Sequence, residues 1–110
     1  MGRADLLVKV LGELVDPEMI ERELMEISGG KLGSGSFAVV AVPDARAEHV
    51  LVPVFDDGVD AEMVSSALTE YHRRAPGFRR LREAVFLKSF PRSPLGKPRR
   101  AEILREISVN

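Results

Sequence analysis

The sequence predicts an α+β domain: an N-terminal two-stranded hairpin and a three-stranded, mostly antiparallel sheet packed by helices. Three observations predict it. Two stretches repeat apolar residues at helical spacing, each behind an aspartate that can cap its first turn. Short β-branched runs bounded by Gly, Pro and Asp lie around them. The 110 residues, 45% hydrophobic and 30% charged, suffice for one modest core, so residues 1–110 read as a single domain.

The elements follow in order. Leu6 to Val10 and Glu13 to Val15 flank Leu11-Gly12, a two-residue hairpin turn with glycine where positive φ is needed. Asp16-Pro17 reads as cap and first helical residue of a helix reaching about Ile27, with Ile20, Leu24 and Ile27 on its apolar side. Residues 28–36 hold four glycines and read as a flexible surface loop. Phe37 to Val42 is continuously apolar, as expected of a strand covered on both faces. After a turn at residues 43–46, Val50 to Phe55 is a second strand, antiparallel to the first. Pro53 removes one ladder donor and is expected at an edge or a bulge. Asp60 caps a helix to about Arg74, with Val64, Ala67, Leu68 and Tyr71 on its buried side. Ala84 to Lys88 is a third strand with Phe86 in the core, and residues 99–107 form a last helix.

Composition excludes several classes of function. The chain has no cysteine, which removes disulfides, thiolate catalysis and thiolate metal sites. No apolar run is long enough to span a membrane and no signal-peptide pattern opens the chain, so a cytoplasmic location without membrane partners is expected. His49 and His72 have no carboxylates at ligand spacing, and no metal site is assigned. The loop Gly29 to Gly35 fails the spacing of a phosphate-binding P-loop. The net charge of -1 is unevenly spread: eleven Lys or Arg stand against three Glu between Arg73 and Glu106. Such asymmetry suits a basic face toward a nucleotide or a neighbouring domain, with nucleic-acid binding the lesser reading.

The chemistry concentrates in Pro91-Arg92-Ser93-Pro94-Leu95-Gly96-Lys97. Two prolines stiffen the approach, Gly96 permits a sharp bend, and Lys97 carries a compact charge suited to a phosphate or carboxylate. This stretch resembles the P-R-x-x-x-G-K signature of AMP-forming acyl-CoA synthetases and other adenylate-forming ligases. The opening Gly2-Arg3-Ala4-Asp5 through Ile20-Glu21 is similar to their G-R-x-D-x-x-I-K-x-x-G pattern, with Lys9 and Gly12 matched. Val39 to Asp44 resembles their V-V-G-V-P-D strand and turn. Together these segments identify the chain as resembling the C-terminal domain of such a ligase.

The resemblance implies roles. Lys97 would be catalytic in acyl-adenylate formation, with Gly96 positioning its loop. Arg3 would approach the nucleotide, and Asp5 would be the hinge. Lys9 and Gly12 would face the pantetheine arm during thioester formation. ATP and CoA would be substrates of the parent enzyme, with Mg2+ accompanying ATP and none of them bound by this chain alone. The partner would be an N-terminal adenylate-binding domain that holds the carboxylic acid, so the fragment alone is expected to be inactive. An adenylation domain that loads a carrier protein is the closest rival. A stand-alone nucleic-acid-binding module is the other. Leu95 and Pro98 depart from the family pattern, which has Ser or Thr and Ile or Val there.

Overall fold

The computed structural model describes residues 7–108. Strands β1 (Val8–Val10) and β2 (Glu13–Val15) pair antiparallel as the expected hairpin. Both turn residues take positive φ, 52° at Leu11 and 83° at Gly12, as a type I′ turn requires. A leucine there carries a strain of about 1–2 kcal/mol. The turn is held by a second one: Leu11 N–H donates to the Ala47 carbonyl at 2.9 Å, and Gly12 N–H to Glu48 Oε1 at 3.0 Å.

Helix α1 (Pro17–Ile27) starts where Asp16 accepts the Glu18 N–H, with proline at its first position, and buries Ile20 and Leu24. Strands β3 (Phe37–Asp44) and β4 (Glu48–Asp56) pair antiparallel over eight residues. Strand β5 (Val85–Leu87) joins β4 in parallel over three. The sheet order is β3-β4-β5, so most of its pairing is antiparallel, as expected. Helix α2 (Ala61–Arg74) is capped by Asp60, and α3 (Arg100–Ser108) follows the lysine loop.

Alternation along β3 divides the core. Phe37 and Val39, with Leu51 and Phe55 of β4, pack with Ile20, Leu24, Val64 and Tyr71 of α1 and α2. Ala38 and Val40, with Val54, pack with Phe90 and Ile103 on the opposite side. The continuous apolar run of β3 is thereby explained, since both faces of the sheet are covered.

Two expectations are corrected. Pro53 lies in the central strand in regular register opposite Val39, and not at an edge or bulge. It is tolerated because its nitrogen points toward the β5 side, where pairing lapses between the Leu51–Leu81 bridge and the start of β5 at Val85. Phe86 is 38% exposed and not a core residue. It ends an aromatic row across three strands, stacked on Phe55 at 5.6 Å, which stacks on Phe37 at 5.5 Å. Among the described residues no helix is long and apolar enough to cross a membrane.

Candidate functional site

The lysine loop is a miniature hairpin. Arg92 bridges Pro98 in antiparallel fashion. Ser93 N–H donates to the Lys97 carbonyl at 2.8 Å, and Arg99 N–H to the Pro91 carbonyl at 3.0 Å. Gly96 N–H closes a four-residue turn on the Ser93 carbonyl at 2.9 Å, with Gly96 at φ 89°. This is a type I turn followed by a left-handed residue, the three-residue hairpin that glycine favours. Ser93 Oγ accepts the Lys97 N–H at 3.2 Å.

The two departures from the family pattern cost this hairpin nothing. Arg92 and Pro98 form a pair that exchanges no bonds with each other, so the N–H that proline lacks would have pointed outward. Leu95 stands at the tip, 90% exposed, and changes what the tip presents rather than how it folds. Lys97 is exposed, and among the described residues its ammonium enters no ion pair.

Both flanks of the hairpin are anchored by arginines. Arg92 Nε donates to the Gly35 carbonyl at 2.6 Å, its Nη2 pairs with Asp56 at 2.5 Å, and its guanidinium lies 5.0 Å from the Phe90 ring centre. The Arg92 hydrogen bond, helped by the Gly58 N–H, holds the Asp56 carboxyl below the usual carboxylate range. Behind Lys97, Arg100 Nη2 pairs with Glu21 at 2.5 Å. Glu21 Oε2 also accepts the Val39 N–H at 2.7 Å, a donor on the outer edge of β3, beyond which no strand lies among the described residues. Glu21 thus joins α1, β3 and the start of α3.

Lys9 and Gly12 lie elsewhere. Lys9 is exposed beside its cross-strand partner Leu14, and its carbonyl meets His49 Nδ1 at 3.0 Å. The hairpin is tied to Glu48 at the start of β4, whereas the lysine loop is tied to Asp56 at its end. Eight residue steps of strand put about 27 Å between those anchors. Arg3 and Asp5 lie outside the described residues.

A groove of about 550 Å³ opens beside the hairpin tip, lined by Val10, Leu11, Asp44, Arg46, Arg80 and Arg82 among others. Asp44 is engaged with its own turn, accepting the Arg46 and Ala47 N–H groups, which together hold its carboxyl below the usual range. Elsewhere the arginine-rich segment is internally paired: Arg73 and Arg74 with Glu70, and Arg79 with Glu23. His72 Nε2 accepts the Leu81 N–H at 3.1 Å, and burial lowers the ring's basicity. Its role is to hold the segment after α2.

No family model and no curated protein matches the chain. Solved structures do. An acyl-CoA synthetase (AMP-forming)/AMP-acid ligase II-like protein from Dyadobacter fermentans matches with TM-score 0.80 at 18% identity, over 97% of this chain and 31% of its own. ATP-bound MatB from Rhodopseudomonas palustris matches with TM-score 0.65 at 26% identity, over 96% of this chain and 20% of its own. The fold is that of the AMP-forming acyl-CoA synthetases. A fatty acyl CoA synthetase from Mycobacterium tuberculosis matches likewise, with TM-score 0.71 at 22% identity, over 96% and 20% of the two chains. This chain spans a fifth to a third of the length of these synthetases, consistent with their C-terminal domain.

Sequence reasoning singled out Lys97 and Gly96 but not Gly35, Asp56 and Arg100, whose contacts flank their hairpin. Arg92 was visible as a motif letter without a role. The one available signal was an arginine within a lysine motif, whose fork geometry asks for oxygen partners.

Proposed function

We propose that this chain is the lysine-bearing domain of an ATP-dependent, AMP-forming acid–CoA ligase, working with an adenylate-binding domain outside this chain. The observation that carries the reading is an exposed ammonium on a pinned hairpin at one end of β4, within a fold shared with ATP-bound MatB. The acid's carboxylate attacks the α-phosphate of ATP, and pyrophosphate leaves with the magnesium that arrives as part of the nucleotide substrate. Lys97 meets the charge that builds on the phosphate, and Arg3 approaches the nucleotide. The CoA thiol then attacks the acyl carbonyl and AMP departs.

Two half-reactions suit a domain whose working groups sit at opposite ends of one strand. Lys97 serves the first, Lys9 and Gly12 the second, and a turn about Asp5 exchanges them. Without its partner domain the chain holds neither acid nor ATP and is inactive. ATP and CoA as substrates accord with a cytoplasmic location.

The groove favours CoA over a carrier protein as acceptor. Arg46, Arg80 and Arg82 gather beside the hairpin tip, where the phosphates at the nucleotide end of CoA would find charge-assisted donors. A nucleic-acid face is disfavoured by the internal pairing of Arg73, Arg74 and Arg79. In the full ligase, Arg80→Glu/Arg82→Glu is expected to raise KM for CoA by about tenfold or more, the effect of one or two lost charge-assisted bonds. Acid-dependent ATP–pyrophosphate exchange should stay unchanged. An unchanged KM for CoA would remove the groove as its site. No turnover of CoA by the wild-type ligase would favour the carrier-protein acceptor, and absence of any exchange by the wild-type ligase would refute the ligase reading.

A further inference from the structure

The glycine-rich segment of residues 28–36 reads from sequence as a flexible surface loop, yet the structure puts it underneath the lysine hairpin. A β-carbon built on Gly35 would lie 2.7 Å from the Gly96 carbonyl oxygen and 3.9 Å from Arg92 Nε. Contacts that short are not made by real side chains, and the atom in the way is backbone, which cannot swing aside. Gly35 does not have positive φ, so what demands glycine there is close approach and not backbone conformation. Gly33, two residues earlier in the same loop, faces open space.

The loop is itself held. Ser36 N–H and Ser36 Oγ both donate to the Gly33 carbonyl, at 3.1 and 2.7 Å. The Ser36 carbonyl accepts the Asp56 N–H at 2.9 Å. Arg92 then ties the hairpin to this floor through the Gly35 carbonyl and to the end of β4 through Asp56. Three distant segments therefore meet under Gly96, the residue before Lys97.

We propose that Gly35 and Arg92 are positioning residues for Lys97, forming a seat that fixes the height and direction of the lysine hairpin. This rests on the reading of Lys97 as the group that serves acyl-adenylate formation. A β-carbon at Gly35 lifts Gly96 and carries Lys97 with it. A displacement near 1 Å at a reacting centre costs about a hundredfold in rate.

The test uses the full ligase and this chain in parallel. Gly35→Ala should lower acid-dependent ATP–pyrophosphate exchange by roughly ten- to a hundredfold, in kcat and not in KM for ATP. Thioester formation from supplied acyl-adenylate should be retained. In the 15N-labelled chain the Gly96 and Lys97 amide signals should shift. Arg92→Lys, which keeps the charge and loses the fork, should show the same split, and covers the case in which Gly35→Ala folds poorly. Gly33→Ala should change none of these. The seat is overturned if Gly35→Ala and Arg92→Lys leave exchange within twofold of wild type, or if in Arg92→Lys both half-reactions fall together with the melting temperature. Should Lys97→Ala leave exchange intact, the role of Lys97 fails instead, and unmoved Gly96 amides in Gly35→Ala would remove the seat as well.

Discussion

Replacing Lys97 with alanine in the full ligase is expected to slow acyl-adenylate formation by about two to three decades while sparing the thioester step. A unit charge about 4 Å from another, at an effective dielectric near 20, is worth roughly 4 kcal/mol. If that charge develops only in the transition state, the same energy is about three decades in rate. The structure makes the loss specific. Lys97 stands on a hairpin closed by its own backbone bonds and fixed from outside by Arg92, so truncating its side chain removes the charge and leaves the loop standing. The check is acid-dependent ATP–pyrophosphate exchange beside thioester formation from supplied acyl-adenylate. Equal losses in both would assign Lys97 a structural role.

The largest expected effect on stability is at Arg100. Its side chain and that of Glu21 are 25% and 14% exposed, and burial pushes the Glu21 carboxyl up against the opposing pull of Arg100 and the Val39 N–H. Arg100→Met leaves a carboxylate stranded between α1 and β3. Removing one partner of such a pair costs about 3 kcal/mol, measurable by urea unfolding at pH 7. The sign with pH follows from the raised carboxyl. The folded protein holds the Glu21 proton to higher pH than the unfolded chain does, so stability is kept at acid pH and lost as pH rises through the raised value. In Arg100→Met that value climbs further, and the deficit should shrink as pH falls toward the ordinary glutamate value of 4.5. Adding Glu21→Gln should restore most of the loss at pH 7, because the amide oxygen still accepts the Val39 N–H and no charge remains. A deficit independent of pH, or no recovery in the double variant, would contradict this account of the pair.

Local chemistry was legible in the sequence where one short segment contains all its causes. Asp16 before Pro17 and Asp60 before Ala61 announced their helices because cap and first turn are neighbours. Phe37 to Val40 announced burial on both faces, since no polar alternation interrupts them. Gly96 announced a bend beside Lys97, and the structure supplies the left-handed residue it predicts.

What stayed hidden depends on distant partners. Pro53 argued for an edge because the sequence does not show that β5 starts only at Val85, so the gap after the Leu51–Leu81 bridge falls where the proline lacks its N–H. Phe86 argued for the core by its neighbours Val85 and Leu87, yet it ends the aromatic row at the sheet's last strand, with one face open. The seat under Lys97 joins Gly35, Asp56 and Arg92 across 57 residues, and no spacing rule links them. Glu21 was matched as a letter, while its service to the free edge of β3 appears only once that edge is seen.

The most direct measurement of the central claim is an amine-labelling footprint of the full ligase. The ligase is treated with its acid and an ATP analogue whose α–β bridge is methylene, then with a lysine-reactive reagent, and labelling is read residue by residue. The account predicts that Lys97 is protected by the acid and nucleotide together while Lys9 remains labelled. Equal labelling of Lys97 with and without them would contradict it.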